Sequence, residues 1–462
     1  MDVLIWSRLQ FAFTVSFHIL FPALNIGLAV LLAWLEWRLL RSDDQSYRLA
    51  YRFWSRIFAL TFGMGVVSGL VLSYEFGTNF AAFSAATGNV IGPLMSYEVL
   101  TAFFLEASFL GIMLFGWDRV SPRLHFFSTL MVAIGTLISA FWILSANSWM
   151  HTPAGAEFID GVFYPKDWWA IIFNPSFPYR YVHMVLASVL STLFFVAAIA
   201  AWYQRQQREP IFARRHLQAV LLAAAVLAPL QVFVGDLHGL NAEQHQPMKV
   251  AAMEGRWETT GHAPLLLFAW PDQKQATNHF EVGIPSGASL ILKHSAEGVV
   301  QGLDQVSPAD RPNVPVVFFS FRVMVGLGSA MVLAAWLGLW FMRKQRTPPD
   351  WFLRALVWMG PAGFIATLAG WWVAEVGRQP WVVTGFMRTS DAISILPAQQ
   401  VMVSLMAFVL LYGSLFVAYL IYLRKLVRLG PESLRPLAQQ PDPSTHGSPA
   451  PARPLFGAMR SE

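Results

Sequence analysis

The chemistry easiest to locate in this sequence lies in residues 370–381, at the end of a long apolar segment. Glu375 falls inside that segment, where a carboxylate costs about 3 kcal/mol unless it is paired, protonated or bound to something. Arg378 follows one helical turn later and could neutralise it. Two interpretations follow: a functional carboxylate, or an interfacial Glu–Arg pair that only fixes the depth of a membrane helix.

A second pair of carboxylates, Glu98 and Glu106, also lies in an apolar segment. Eight residues of α-helix would place them about 80° apart around the axis and about 12 Å apart along it, so they follow one side of the helix. Glutamates without a basic residue nearby are costly in a membrane, and proton conduction or metal ligation is the usual reason for them. The pair predicts a proton relay. Ser139 and Asn147 could extend it, but for these two we favour ordinary hydrogen bonding between helices.

Two histidines, His18 and His183, lie well inside apolar segments. For His18 alone we slightly favour a hydrogen bond between helices, although it is a strong candidate metal ligand. His183 has a partner in Met324, because both lie near the same end of their segments. A His/Met pair on one iron gives a low-spin haem suited to electron transfer. Met324 by itself would more often be core filling, and Arg322 would suit a haem propionate.

Lys249 and Glu254 occur in a mixed polar and apolar stretch, residues 247–259, between two apolar runs. Such a stretch could receive an amphipathic headgroup such as a quinol, with Glu254 accepting a proton and Lys249 anchoring an oxygen. A charged surface helix would have the same composition, so the signal is weak by itself.

Membrane helices must position these residues, because 55% of the 462 residues are hydrophobic and only 13% are charged, against about 25% charged in soluble domains. Nine segments reach the roughly 20 apolar residues needed to span a bilayer. We therefore predict an all-α integral membrane protein with nine transmembrane helices. The predicted spans are 9–37, 54–73, 93–117, 124–149, 179–203, 216–236, 315–342, 352–377 and 397–423.

The basic residues occupy alternate connections between these spans, which explains the net charge of +5 better than a nucleic-acid surface does. Arginines are concentrated at 38–56, 205–215 and 343–354, whereas 74–92 contains neither Lys nor Arg. The positive-inside rule therefore places the N-terminus outside and the C-terminus in the cytoplasm. The sequence has no cysteine, which excludes protein-borne iron–sulfur clusters, thiolate-bound haem and blue copper.

The same pattern divides the chain into four parts. Residues 1–237 hold helices 1–6, and residues 315–430 hold helices 7–9. Between them, residues 238–314 form an outer loop too long for a simple connection, which we interpret as the quinol-binding part. Residues 431–462, rich in Pro, Ser, Ala and Gln, are predicted to be a disordered cytoplasmic tail.

Taken together, the sequence resembles subunit I of the cytochrome bd-type quinol oxidases over about residues 1–430. Several long motifs in the same order make the resemblance specific. They are Ser7-Arg8-Leu9-Gln10-Phe11 leading to His18, Phe76-Gly77-Thr78-Asn79, Glu98 with Glu106, Phe115-Gly116-Trp117-Asp118-Arg119, His183, the stretch 249–259, Phe321-Arg322-Val323-Met324 and Gly377-Arg378-Gln379-Pro380-Trp381.

The resemblance implies three haems. His183 and Met324 would ligate the low-spin haem b558. His18 and Glu375 would be ligands in the high-spin pair, with Glu98 beside it; which of the two haems each holds stays open. One of the pair would be haem b595 and the other haem d or a further b-type haem, because the short outer loop resembles the branch that includes cyanide-insensitive oxidases.

The resemblance also implies the activity and the partners. Lys249 and Glu254 would serve quinol oxidation at the outer face of the bacterial inner membrane, and O₂ would be reduced to water, which generates proton motive force without a pump. Implied partners are a second membrane subunit, subunit II, in a heterodimer and a possible small accessory subunit. The intramembrane charges alone also fit a non-enzymatic proton-coupled transporter, against which stand the long outer loop and the lack of detectable inverted repeats.

Overall fold

The computed structural model describes residues 2–42, 44–343 and 346–434. Within these ranges nine helical segments are long and apolar enough to cross a membrane, which confirms the predicted fold class and number of spans. Residues 435–462, most of the predicted tail, lie outside the described residues. The four residues before them, Pro431–Leu434, form a short 3₁₀ helix.

The helical segments and strands have the following bounds. The helices are α1 (Val3–Ser42), α2 (Gln45–Thr78), α3 (Ala81–Glu98), a π-helical turn (Val99–Phe103), α4 (Phe104–Phe115), α5 (Pro122–His151), α6 (Trp168–Ile172), α7 (Phe177–Arg205), α8 (Pro210–His245), α9 (Pro247–Glu254), α10 (Gly287–Lys293), α11 (Val314–Phe341), α12 (Asp350–Trp358), α13 (Ala362–Val376), α14 (Thr389–Ala392) and α15 (Ala398–Leu429). The strands, paired as three antiparallel hairpins, are β1 (Ala156–Ile159) with β2 (Val162–Pro165), β3 (Leu265–Asp272) with β4 (Thr277–Ile284), and β5 (Trp381–Val383) with β6 (Met387–Arg388).

The helices extend well beyond the predicted apolar spans. The stretch 74–92, interpreted above as a connection, is almost wholly helical, because α2 continues to Thr78 and α3 begins at Ala81. Hydropathy marks the part of a helix that crosses the hydrocarbon core, whereas the backbone hydrogen bonds continue until a cap or a break ends them. At this end the Thr78 hydroxyl donates to the Tyr74 carbonyl at 3.0 Å, so polar residues there still follow helical geometry.

Hydrogen bonds join the helix ends at two opposite sides of the bundle. At one side the Thr384 amide donates to the Met150 carbonyl at 3.0 Å. This side also carries residues 246–313, and we call it the loop end. At the other side the Tyr203 hydroxyl donates to the Val427 carbonyl at 2.6 Å. The arginine-rich connections lie here, and we call it the basic end.

The predicted outer loop is a folded structure. Helix α9 follows directly on α8, and the β3–β4 hairpin and α10 pack beyond it. Thr260 and Val300 pair as a single β-bridge. Asp304 accepts hydrogen bonds from the Thr259 amide at 3.2 Å and the Thr259 hydroxyl at 2.7 Å, which closes the loop on itself. These contacts hold α9 against α8, α11 and α13.

Candidate functional site

His183 and Met324 lie on helices that share neighbours. His183 belongs to α7 and Met324 to α11, and both helices pack against α8 and α13. A Cβ atom added at Gly235 would lie 3.2 Å from His183 Cε1, and one added at Gly370 would lie 2.9 Å from Met324 Sδ. Each candidate ligand therefore has a glycine as a close neighbour.

Unpartnered polar atoms accompany His183. Its Nδ1 is buried and has no hydrogen-bond partner among the described residues, and neither has Oε1 of Gln231. The other ring nitrogen, Nε2, accepts from the Gln231 amide at 3.2 Å. Buried polar groups are normally satisfied, and exceptions call for an explanation such as a bound group. The orphaned atoms and the adjacent glycines fit a haem at this position.

His18 on α1 is held in the tautomer that binds metals. Its Nδ1 lies 2.9 Å from the Ser68 hydroxyl of α2. That hydroxyl donates to the Met64 carbonyl at 2.8 Å, so the bond to the histidine is donated by Nδ1–H. Nε2 is then unprotonated and its lone pair is available, which is the arrangement found when a second group orients a metal-binding histidine. Gly69 beside the ring leaves room: a Cβ there would lie 3.1 Å from Cε1.

Glu375 lies near the loop-end terminus of α13 in a cluster of polar side chains. Its Oε1 accepts from Asn147 Nδ2 at 3.0 Å and lies 3.1 Å from His151 Nε2. Its Oε2 accepts from the Arg378 guanidinium at 2.5 Å, so the pair suggested by the spacing is formed. Asn147 therefore makes the kind of hydrogen bond between helices that was favoured for it, and its partner is the candidate ligand. The Glu375 side chain keeps 24% of its surface exposed, which leaves it accessible to a bound group.

Lys249 of α9 joins this cluster from the loop. Its Nζ lies 2.9 Å from His151 Nδ1 and donates to Gln246 Oε1 at 2.7 Å. Only 4% of Lys249 is exposed. Burial, together with the nearby Arg180 guanidinium, holds the pKa of the Lys249 amine well below its usual range. The result is a continuous chain of contacts from Lys249 through His151 to Glu375, which the sequence interpretation did not include.

Glu254, at the end of α9, is buried against Arg322 of α11. Its Oε2 lies 3.2 Å from the guanidinium, which also donates to the Leu266 carbonyl at 2.6 Å and to the Met253 carbonyl. Burial raises the pKa of Glu254, and the guanidinium offsets part of that rise. The anionic partner of Arg322 in this structure is thus Glu254. The charged surface helix that the composition also allowed is not formed, because both Lys249 and Glu254 are buried.

Glu98 and Glu106 both face α5. Ser139 donates to Glu98 Oε1 at 2.7 Å, and a Cβ added at Gly135 would lie 2.5 Å from Glu106 Cγ. Ser139 and Gly135 are four residues apart on one face of α5. The estimate of about 80° assumed an uninterrupted α-helix, but a π-helical turn, Val99–Phe103, separates the two glutamates. Such a turn holds more residues per rotation, which changes the angle between the side chains.

Substitution of Gly135 is expected to lower the stability of the protein, because Gly135 packs against the Glu106 side chain. In Gly135→Ala the new methyl group would overlap the Glu106 side chain, so we expect a loss of about 1–3 kcal/mol in stability, as for overpacking. Gly111→Ala on α4 is the matched control, because nothing lies within 4 Å of its added Cβ, and a helical Gly→Ala change is stabilising by up to about 1 kcal/mol. Thermal melting of the two purified variants checks this. Equal melting temperatures would contradict the close contact.

The described residues contain no group of three or more His, Asp or Glu side chains arranged around a bare metal ion. The candidate ligands occur singly on different helices. A haem iron is already held by its four pyrrole nitrogens and takes only one or two axial ligands from the protein. The donor set of this chain therefore suits haem better than a mononuclear metal site.

Comparison with known proteins gives one consistent family. The family model of cytochrome bd terminal oxidase subunit I matches residues 6–431. Cytochrome bd-II ubiquinol oxidase subunit 1 of Escherichia coli is 33% identical, over 95% of this chain and 99% of that protein. Cytochrome bd ubiquinol oxidase subunit 1 of Bacillus subtilis is 33% identical over 89% of this chain and 91% of its own. The solved bd oxidase from Geobacillus thermodenitrificans superposes with a TM-score of 0.86 and 32% identity, covering 92% of this chain and 98% of that one.

Proposed function

Because the chain belongs to the cytochrome bd terminal oxidase subunit I family, we propose that it is the haem-bearing subunit of a quinol oxidase. It is a multi-pass protein of the bacterial inner membrane. Two quinols and one O₂ give two quinones and two waters. Quinol is oxidised at the loop end, taken as the outer face, and the protons that form water come from the basic end, taken as the cytoplasmic face. Charge is separated without a pump.

The observation that carries this proposal is the chain of contacts from Lys249 through His151 to Glu375. It joins the loop helix that would meet quinol to the carboxylate that would ligate a high-spin haem. A loop helix with only a structural role would not need a buried lysine at this point, because burying an amine is costly.

Bound haem would supply one-electron transfer between quinol and oxygen. His183 and Met324 would hold the low-spin haem b558, and His18 and Glu375 would serve the high-spin pair, haem b595 with haem d or a further b-type haem. Arg378 orients Glu375 through their ion pair. Ser68 fixes the tautomer of His18 in the same way.

Quinol oxidation requires two protons to leave with the two electrons. Glu254 would accept one proton as its carboxylate, and its ion pair with Arg322 holds that carboxylate in place. Lys249 would donate a hydrogen bond to a quinol oxygen, since its amine is buried at the junction of the loop helix with the bundle. The contact with His151 keeps the amine pointed toward the bundle.

Protons for oxygen reduction would pass along one face of α5. Glu106 lies nearer the basic end of its helical segment than Glu98 does. Glu98 is bonded to Ser139, whose hydroxyl can pass a proton as donor and acceptor. A second membrane subunit, as in the family, would complete the enzyme as a heterodimer, with a small accessory subunit as a further partner.

An optical spectrum of the purified complex tests the proposal. Reduced-minus-oxidised haem bands are expected to appear when quinol is added without oxygen and to disappear when air is admitted. A purified complex that carries no haem, or carries haem that quinol does not reduce, would refute the proposal and favour the transporter.

Glu254→Gln and Lys249→Ala are expected to slow turnover with quinol by about 100-fold, the usual contribution of a positioned acid or base. Turnover with an artificial donor that bypasses the loop should change much less. Oxygen consumption with the two donors measures this. Glu258→Gln and Lys274→Ala are matched controls, because both side chains are exposed in the same loop.

The pH profile of quinol turnover is a second test of the role of Glu254. Burial raises the pKa of Glu254, so its proton-accepting form appears at higher pH than for an exposed glutamate. Turnover should therefore fall as pH is lowered through this raised pKa, and Glu254→Gln should lose that dependence. Equal losses with both donors, together with an unchanged pH profile, would assign Lys249 and Glu254 a structural role.

A further inference from the structure

A further intramembrane carboxylate, Glu75 of α2, is buried in surroundings that contain only neutral groups. Its exposed fraction is 1%. Thr14 donates to Oε2 at 2.9 Å and Gln10 donates to Oε1 at 3.4 Å. No Lys, Arg or His of the described chain pairs with it. Neither the composition nor the motifs singled this residue out.

Two other glutamates of the bundle have a basic side chain as a partner. Glu36 accepts from His125 Nδ1 and from the Thr129 hydroxyl, both at 2.6 Å, and Glu375 is paired with Arg378. A buried carboxylate without such a partner is costly as an anion, while its neutral acid form is not. The protonation of Glu75 is therefore governed by whatever charge lies nearest.

The nearest candidate for a changing charge is the site of His18. Thr14, which bonds to Glu75, is one turn from His18 on α1, about 6 Å along the axis. Ser68, which bonds to His18 Nδ1, is two turns from Glu75 on α2, about 10 Å along the axis. Glu75 thus lies on the loop-end side of His18, and no residue of the proposed proton route along α5 reaches this side.

The helices around Glu75 offer few other groups that could titrate. From α1 it meets Gln10 and Thr14, which are neutral, and Arg8 of the same turn is exposed and makes no ion pair with it. From α15, Ser404 donates to Gln10 at 3.1 Å and Tyr412 donates to the Ser68 carbonyl at 3.4 Å, and neither bonds to Glu75. Helix α3 presents no titratable side chain before Tyr97. A proton that is bound or released in this region would therefore be bound or released by Glu75.

We propose that Glu75 is a redox-linked proton site, which takes up one proton when an electron arrives at the haem held by His18 and releases it when the electron leaves. The proton comes from a hydronium ion of the aqueous phase, whose O–H bond breaks as the O–H bond on the carboxylate forms, so the electron's negative charge is balanced locally. In a medium of low dielectric constant, a charge at the site of His18 strongly changes the free energy of ionising Glu75. The inference rests on the proposed function and adds to it a charge-compensating residue on the loop-end side of the oxygen site.

Redox-induced infrared difference spectra of the purified complex test this. Reduction should produce the carbonyl band of a protonated carboxylic acid, shifted in D₂O. The band should vanish in Glu75→Gln and remain in Glu157→Gln, a control at an exposed glutamate that pairs with Lys166 on the surface. The midpoint potential of the high-spin haem should also lose part of its pH dependence in Glu75→Gln only.

A second variant covers the case in which Glu75→Gln does not assemble. Thr14→Val removes the hydroxyl that bonds to Glu75 and should shift the band without abolishing it. A band that persists in Glu75→Gln, or an unshifted band in Thr14→Val, overturns the inference while leaving the oxidase intact. A wild-type complex without haem would instead refute the proposed function, so the two failures are distinguishable.

Discussion

In the Met324→Leu variant the low-spin haem is expected to be lost while the fold persists. Leucine keeps the volume of methionine, and such exchanges usually cost less than about 1.5 kcal/mol. It has no sulfur, however, and cannot ligate iron. The residue next to the sulfur is Gly370, which offers no replacement ligand. The reduced-minus-oxidised spectrum and the ratio of haem to protein measure the effect.

The control for this variant lies on the same helix. Met331 of α11 is 3% exposed and belongs to the main hydrophobic core, so Met331→Leu should leave every haem band unchanged. If Met324→Leu also left the low-spin spectrum unchanged, Met324 would be core filling, which is what a methionine in such a helix usually is. The pairing with His183 would then be wrong.

The Glu106→Gln variant is expected to reduce oxygen at least about 100-fold more slowly, with its haems retained. Glutamine keeps the shape of the side chain but cannot carry a proton. Glu106 is 7% exposed and is packed against Gly135, so the substitution disturbs no ion pair. Oxygen consumption across a range of pH, compared with the haem content, measures the effect.

Ser108→Ala on the same helix is the control, since its exposed hydroxyl donates only to the Phe104 carbonyl. It should retain the normal rate. A normal rate and pH profile in Glu106→Gln, with haems retained, would show that Glu106 is a buried polar contact and that protons reach the oxygen site by another route.

Hydropathy predicts the number and approximate positions of the membrane helices, but not where the helical geometry changes within them. The apolar run that ends in residues 370–381 predicts a membrane helix, and the three-residue spacing of Glu375 and Arg378 predicts their pair, because both are local properties of the chain. The π-helical turn of Val99–Phe103 has no comparable signal, since its residues are those of any apolar helix. The angle of about 80° between Glu98 and Glu106, which was calculated for an ideal α-helix, therefore does not apply there.

The cluster of Lys249, His151 and Glu375 could not be predicted from neighbouring residues in the sequence, for a different reason. His151 lies 98 residues from Lys249 and 224 from Glu375, so only the tertiary fold brings the three together. A sequence signal did exist in part: His151 is four residues after Asn147, on the same face of α5. Glu75 was missed similarly, because its partners Gln10 and Thr14 are 65 and 61 residues away.

The chain from Lys249 to Glu375 also bears on the order in which the protein can be completed during synthesis. Arg180 and Lys249 are made long before Glu375, the anion that faces them, and both are buried in the finished structure. A nascent chain that ends before α13 therefore holds the Arg180 guanidinium there without that counter-charge, and Lys249 and His151 without the far end of their contacts. The chain of contacts from Lys249 to Glu375 can form only once α13 has been made, so this part of the site is completed late in synthesis.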